Sequence, residues 1–211
     1  MDVVEFFESI RYGELRNNSI VKNYTNAKSA NDVRSAEQAV LNFVNTGILE
    51  IYKELMLKVS SEIVESHGTH IATVSDPSYM LTAKVLNSIT EKELTPKLVH
   101  DTDDWDFYEM VQGTFQFNPK RHIQSATIVY YCTPKRLYKM TDVIPLRDVM
   151  LPALADYLAY KASTPMDSDA SKQQNQTIQA QKWTASINAL KELGYGNTPF
   201  IGINIAKDGW V

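Results

Sequence analysis

Between about His67 and Pro134 the apolar residues of this chain stop recurring at threes and fours and begin to alternate, and the helical spacing returns afterwards. A helix buries a stripe with period 3.6 and a half-buried strand one with period 2, so such a switch fixes which layers a fold can contain. The alternation is clearest in Thr114-Phe115-Gln116-Phe117. Candidate strands are Thr69–Val74, Tyr79–Leu86, Leu94–Val99, Asp106–Val111, Thr114–Phe117 and Ser125–Cys132. Turn signals at Asp76-Pro77, Gln112-Gly113 and Asn118-Pro119 separate several of them. No helical pattern of ten residues interrupts this stretch, which argues for antiparallel pairing over βαβ crossovers. The expected class is α+β, a helical bundle carrying an inserted antiparallel β subdomain at about 67–134.

The helical segments are legible from caps and faces. Asp2 and Glu5 make a capping-box pair ahead of Val3, Phe6, Phe7 and Ile10, which predicts a helix over about 2–16. The polar run 17–31 reads as a connector. Ser35 and Gln38 offer a second capping box for a long helix to about Ser60, with Val40, Phe43, Val44, Ile48, Ile51 and Leu55 along one face. Gly47 inside it costs on the order of 1 kcal/mol against alanine, so a close helix crossing is expected there. A helical hairpin follows from about Leu146 to Leu193. Its first arm sets Leu151, Leu154, Leu158 and Ala162 at helical spacing, with Pro152 tolerated in the first turn. Its second sets Ala180, Trp183, Ile187 and Leu190 on one face and closes at Gly194.

Beyond the hairpin, Phe200 to Ala206 reads FIGINIA, with Ile201, Ile203 and Ile205 alternating and Trp210 following. A strand needs a neighbour for its backbone groups, and only Lys207 to Val211 come after it. The partner must be an earlier edge of the same fold or another protein. The reading is therefore a single domain over 1–196 and an extended C-terminal tail over 197–211. Phe200, Ile201, Ile203, Ile205 and Trp210 are its expected partner contacts.

A net charge of −4 disfavours a surface built to neutralise phosphates, and the densest basic run, Lys120-Arg121-His122, is short. Cys132 stands alone inside a strand pattern and reads as a small buried hydrophobe. No apolar run reaches membrane-spanning or signal-peptide length. Matches to glycosylation sequons at Asn17, Asn23 and Asn175 carry no meaning without secretion.

Each constellation that would carry chemistry falls short on spacing or context. His67 and His70 are three apart with Glu62 and Glu65 upstream, but Gly68 lies between them where helix gives way to strand. Asp101, Asp103, Asp104 and Asp106 are dense, yet a calcium loop from Asp101 would need glycine where Asp106 stands and glutamate where Gln112 stands. A nucleophile elbow and a glycine-rich phosphate loop are both missing. Tyr130, Tyr131 and Tyr138 lie near Lys135, Arg136 and Lys139, an interleaving that can stack single strands, although strand tyrosines more often pack a sheet. No catalytic residue, cofactor or metal is expected.

Three segments resemble one family. GTFQFNP (113–119) looks like a strand ending in a turn proline, and IVYYCTP (128–134) is similar to the tyrosine-rich strand that follows it. VIPLRDVMLPALADYLAYKASTPMDSD (143–169) resembles the entry to a helical hairpin, with Tyr157, Tyr160 and Asp169 at its aromatic helix and acidic loop. This order, over roughly residues 31–194, is that of the head-to-tail adaptor proteins of short-tailed phages. The resemblance implies a structural virion protein, a ring commonly of twelve copies that joins the portal protein to a tail or nozzle protein. It implies a place in the neck after assembly in the host cytoplasm, with DNA passing through without specific binding and no membrane. A head-closure or tail-completion protein is the nearest alternative. A metal-dependent hydrolase using His67 and His70 is the alternative from another class.

Overall fold

In the computed structural model, which describes residues 1–13, 15, 19–66, 68, 70–97, 104–163 and 170–196, the chain is an α+β protein with two compact units. One holds residues 1–56 and 134–196 and is helical; the other holds residues 57–133 and carries the strands.

The helical unit opens with α1 (Val3–Arg11), and its capping box is the expected one. Glu5 N donates to Asp2 Oδ1 at 2.8 Å and Asp2 N to Glu5 Oε2 at 3.2 Å. Val3, Phe6, Phe7 and Ile10 are buried as their spacing predicts, but the helix stops at Arg11 rather than near residue 16. The polar run expected as a connector contains α2 (Ser19–Asn26). Val21 is buried and the Tyr24 ring meets Phe7 edge-on at 5.1 Å, so two apolar contacts three residues apart override an unpromising composition.

The long helix α3 (Ala30–Leu55) starts and ends before its expected bounds. Ser29 and Asp32 form its capping box in place of Ser35 and Gln38, with both bonds at 3.1 Å. It ends where Met56 turns left-handed at φ 51°. The hairpin arms are α4 (Leu151–Ala162), with Pro152 in its first turn, and α5 (Ala170–Glu192). The two pack on each other, the Tyr157 and Trp183 rings meeting edge-on at 5.0 Å. At the end of α5, Gly194 takes φ +83°, its N–H donates to Lys191 O, and Tyr195 N–H reaches back to Leu190 O. This pair of bonds is the Schellman closure that the glycine predicted.

Gly47 marks the crossing of α3 and α4. A Cβ added there would stand 2.5 Å from Leu154 Cδ1 and 3.1 Å from Tyr157 Cδ1. Both are core side chains, Leu154 fully buried, so neither has open space to retreat into.

The strand unit begins earlier than expected, at Leu57, because β1 (Val59–Glu65) occupies what reads as the end of the long helix. Leu55 and Val59 are four apart, which mimics helical spacing; seven register pairs with β6 (Ser125–Cys132) decide the matter. β3 (Tyr79–Asn87) pairs along the other side of β6, giving an antiparallel sheet in the order β1-β6-β3. The second sheet is β2 (Ile71–Thr73), β5 (Thr114–Phe117) and β4 (Phe107–Val111), in the order β2-β5-β4. Gly113 at φ +75° makes the tight turn between β4 and β5. Val64, Val85, Phe107, Phe115, Phe117, Ile128 and Tyr130 are among the residues of one core contributed by both sheets.

Leu94–Val99 is not a strand over its described part, and the reason is geometric. Residues 92–97 pair first with β3 (Asn87 N to Lys92 O and Leu94 N to Val85 O, both 2.8 Å) and then with β4 (Lys97 N to Phe107 O, 2.7 Å; Asp106 N to Thr95 O, 2.9 Å). A segment that changes partner midway, with no N–H at Pro96, leaves isolated bridges instead of a ladder. It joins an edge of one sheet to an edge of the other, which removes part of the exposed edge that sheet proteins must otherwise protect.

Gly47→Ala tests the helix crossing. Better helix propensity favours alanine by about 1 kcal/mol, and overpacking opposes it by about 1–3 kcal/mol. Urea denaturation is expected to show Gly47→Ala destabilised by up to about 2 kcal/mol and Gly47→Val by more. A valine variant as stable as the parent would show that α3 and α4 separate freely.

Candidate interaction surface

The expected partner contacts, Phe200, Ile201, Ile203, Ile205 and Trp210, lie outside the described residues, as do His67, Asp101, Asp103 and Asp169. His70 is described and stands in left-handed backbone at φ 56°, after Gly68 at φ 62°. A left-handed position does not continue a right-handed helix, so His70 is not on a helical face. Asp104 and Asp106 both meet Arg121, through its Nη2 and, at 3.4 Å, its Nε. Asp106 Oδ2 also accepts from Thr95 N at 2.9 Å. These carboxylates fasten the turn between β5 and β6 to the start of β4. Among the described residues no three His, Cys, Asp or Glu side chains converge as a metal would need.

Three more carboxylates of the strand unit, the half-buried Glu62 and Asp76 and the exposed Glu109, hold loops as well. Glu62 on β1 accepts from Ser75 N at 3.0 Å and from Ser75 Oγ at 2.7 Å, and its other oxygen reaches Asp76 N at 3.3 Å. Asp76 in turn accepts from Ser78 N and from the Tyr130 hydroxyl, both at 2.8 Å. Those bonds, the backbone one first, hold the Asp76 carboxyl below the usual carboxylate range. Glu109 accepts from Tyr79 Oη at 2.6 Å, Gly113 N at 2.7 Å and Thr82 Oγ1 at 2.9 Å, pinning the β4–β5 turn against β3. Burial first, then the neighbouring carboxylate, pushes Tyr79 and Tyr130 up to about 12. Cys132 is buried beside them on β6.

The tyrosine-rich segment thus divides. Tyr130 and Tyr131 are buried in the sheet, as strand tyrosines usually are, whereas Tyr138 is 72% exposed on the loop that follows. That loop, residues 134–143 of the helical unit, is held rigidly. Leu137 and Met140 point inward and are buried, while Lys135, Arg136, Tyr138 and Lys139 point outward. Asn45 of α3 clamps it with both halves of its amide: Nδ2 donates to Leu137 O at 2.9 Å and Oδ1 accepts from Leu137 N at 2.8 Å. Asp142 Oδ2 accepts from Tyr138 N at 2.7 Å and Lys139 N at 2.9 Å, and these bonds hold its carboxyl below the usual range. Beyond the loop, Val3 N donates to Asp142 O at 3.2 Å and Ile144 N to Met1 O at 3.2 Å. The start of the chain therefore ties down its far end. The residues that expose charge here are visible in the sequence as cations interleaved with tyrosines; the asparagine that aims them is not, because a polar residue on a helix gives no sign of its distant partner.

No helix among the described residues is long and apolar enough to cross a membrane. The structure is an α+β protein in which Glu62, Asp76, Asp106, Glu109 and Asp142 are spent on fixing loops. Residues 11–200 match the model of the SU10 adaptor protein family, and the chain belongs to that family. It is a family of phage head-to-tail adaptors, as the motifs of 113–169 imply, and the match takes in α2, which the resemblance over 31–194 left out. No curated protein matches the chain.

Two outcomes test this geometry. Asn45→Ala strands the N–H and C=O of a buried residue and is expected to cost about 1–3 kcal/mol. Trypsin should then cut at Lys135, Arg136 and Lys139 markedly faster; unchanged cleavage would mean the loop holds itself. The raised tyrosines give stability that is whole below their unfolded value of 10.0 and is lost as pH rises towards about 12. Melting temperature measured across this range should hold up to about pH 10 and then fall. A flat profile to pH 12 would contradict the burial of Tyr79 and Tyr130.

Proposed function

We propose that this chain is a structural protein of the virion neck, forming a ring, commonly of twelve copies, that joins the portal protein to a tail or nozzle protein. The family match over residues 11–200 is the observation that carries the reading. Residues 1–196 act as one adaptor domain and 197–211 as a tail that gains its order from a partner. Folding need not await neighbours, because each unit has a core of its own. The free protein is then a monomer or weak oligomer in the host cytoplasm, and many copies held on one portal bind through high effective concentration even where each contact is weak. DNA passes through the ring without specific binding, in keeping with a chain of net charge −4.

The tail supplies the partner contacts in this reading. Ile201, Ile203 and Ile205 share one side of an extended segment, with Phe200 and Trp210 as anchors. Burying three isoleucines contributes roughly 5 kcal/mol at about 1.5–3 kcal/mol each, less the cost of ordering the segment. Truncation after Tyr195 tests it. The shortened protein should fold with near-normal stability and fail to join portal and tail. Unfolding of the truncated chain, with any survivor still assembling, would make the tail part of the core and sink the proposal.

A further inference from the structure

The loop 134–143 is charged against the grain of the molecule. It presents Lys135, Arg136 and Lys139, with Asp142 as its single acid, on a chain whose net charge is −4. Asp142 lies beside the cations, yet its Oδ2 is already engaged by two backbone N–H groups. Arg136 touches the neutral side chain of Asn42 at 3.2 Å. Among the described residues no carboxylate makes a salt bridge with any of the three cations. Tyr138 and Val143, 72% and 69% exposed, add apolar surface in the same place.

Two features separate a docking surface from an ordinary solvated turn. The first is preorganisation: the Asn45 clamp, the buried Leu137 and Met140 and the Asp142 bonds fix the backbone before anything binds, which lowers the ordering cost of association. The second is composition. Exposed tyrosine and arginine beside apolar surface are what protein interfaces concentrate. A nucleic-acid track would need more than three cations to overcome the acidic balance of the rest of the chain.

We propose that this loop is a subunit-to-subunit contact, docking on a carboxylate-rich surface of a second copy of the same chain. The inference rests on the ring reading above. A ring is closed by heterologous contacts, in which one patch of a subunit meets a different patch of the next. A basic loop on an acidic chain supplies both halves of such a pair. Exposed carboxylates such as Asp148 and Glu192 are on the helical unit to receive it.

The test is zero-length carbodiimide coupling, which joins an amine to a carboxylate only where they touch. Full-length chain and an isotopically heavy copy are mixed and assembled on isolated portal particles, coupled, and mapped by mass spectrometry. Mixed-isotope joints from Lys135 or Lys139 to an acidic side chain are the expected result. Reversal by Lys135→Glu, Arg136→Glu and Lys139→Glu together should lower ring occupancy by roughly tenfold or more, since like charges then face each other. Tyr138→Ser, which leaves the charges in place, should lower it by less and guards against a folding defect in the triple variant. Rings that form while these lysines couple only within their own chain would overturn the inference and leave the adaptor reading standing. Salt-dependent retention of the free chain on duplex DNA, lost in the triple variant, would assign the loop to phosphates and overturn it as well. If portal particles recruit no copies at all, the ring reading fails and this inference fails with it.

Discussion

Strand β6 is paired on both sides, from Ser125 to Tyr131 with β1 and from Ala126 to Cys132 with β3, the latter with two register shifts. The two ladders use its backbone groups, and its side chains from Ile128 to Cys132 are buried without interruption. The consequences spread outward through register. Fixing Tyr130 on the inner face brings its hydroxyl to Asp76, and Asp76 in turn holds the loop into β3. Placing β1 beside β6 brings Glu62 to Ser75 and fastens the chain as it leaves β2. A one-residue slip in either pairing would exchange the inner and outer faces and separate these bonds together.

The helical unit is governed by close approach instead. Glycine at position 47 lets the Leu154 and Tyr157 side chains of α4 close on the backbone of α3, and the Tyr157 ring also receives Trp183 from α5. Two positions before the glycine, Asn45 pairs its side-chain amide with the Leu137 peptide as a neighbouring strand would. A long-range amide pair of this sort satisfies a backbone group that no helix or ladder reaches. The same helix thus packs the hairpin and aims the loop that follows β6.

Local signals were enough for elements whose pattern and tertiary partners agree. The α1 capping box, the glycine closures at Gly113 and Gly194, and strands β5 and β6 stand where the residues predict. Three of the failures share a cause, which is that a distant partner outweighed the local pattern. β1 continues a helical spacing and becomes a strand because β6 offers seven register pairs. α2 is polar in composition and becomes a helix because Tyr24 finds Phe7. Residues 92–97 have strand-like texture and become a splice between two sheet edges. For the interaction surface, the cations of 135–139 were legible as types, but their rigidity was not, since it comes from a residue ninety-two positions away.

That division has a physical reason bearing on assembly. A protein that must fold alone and then join many copies needs weak contacts that are nevertheless specific. Specificity follows from fixing the geometry of a few exposed groups, and weakness from keeping those groups few and charged, so that salt and water compete with them. Clamping a loop from inside meets both demands. The half-buried amide of Asn45 and the buried side chains of Leu137 and Met140 carry the cost of ordering the loop, and Lys135, Arg136 and Lys139 are exposed. An apolar loop of equal rigidity would bind more tightly in solution and, in the ring proposed above, would assemble before its template. A flexible basic loop would be slow to choose among acidic surfaces. The loop found here lies between the two, and its geometry is set from α3 through Asn45.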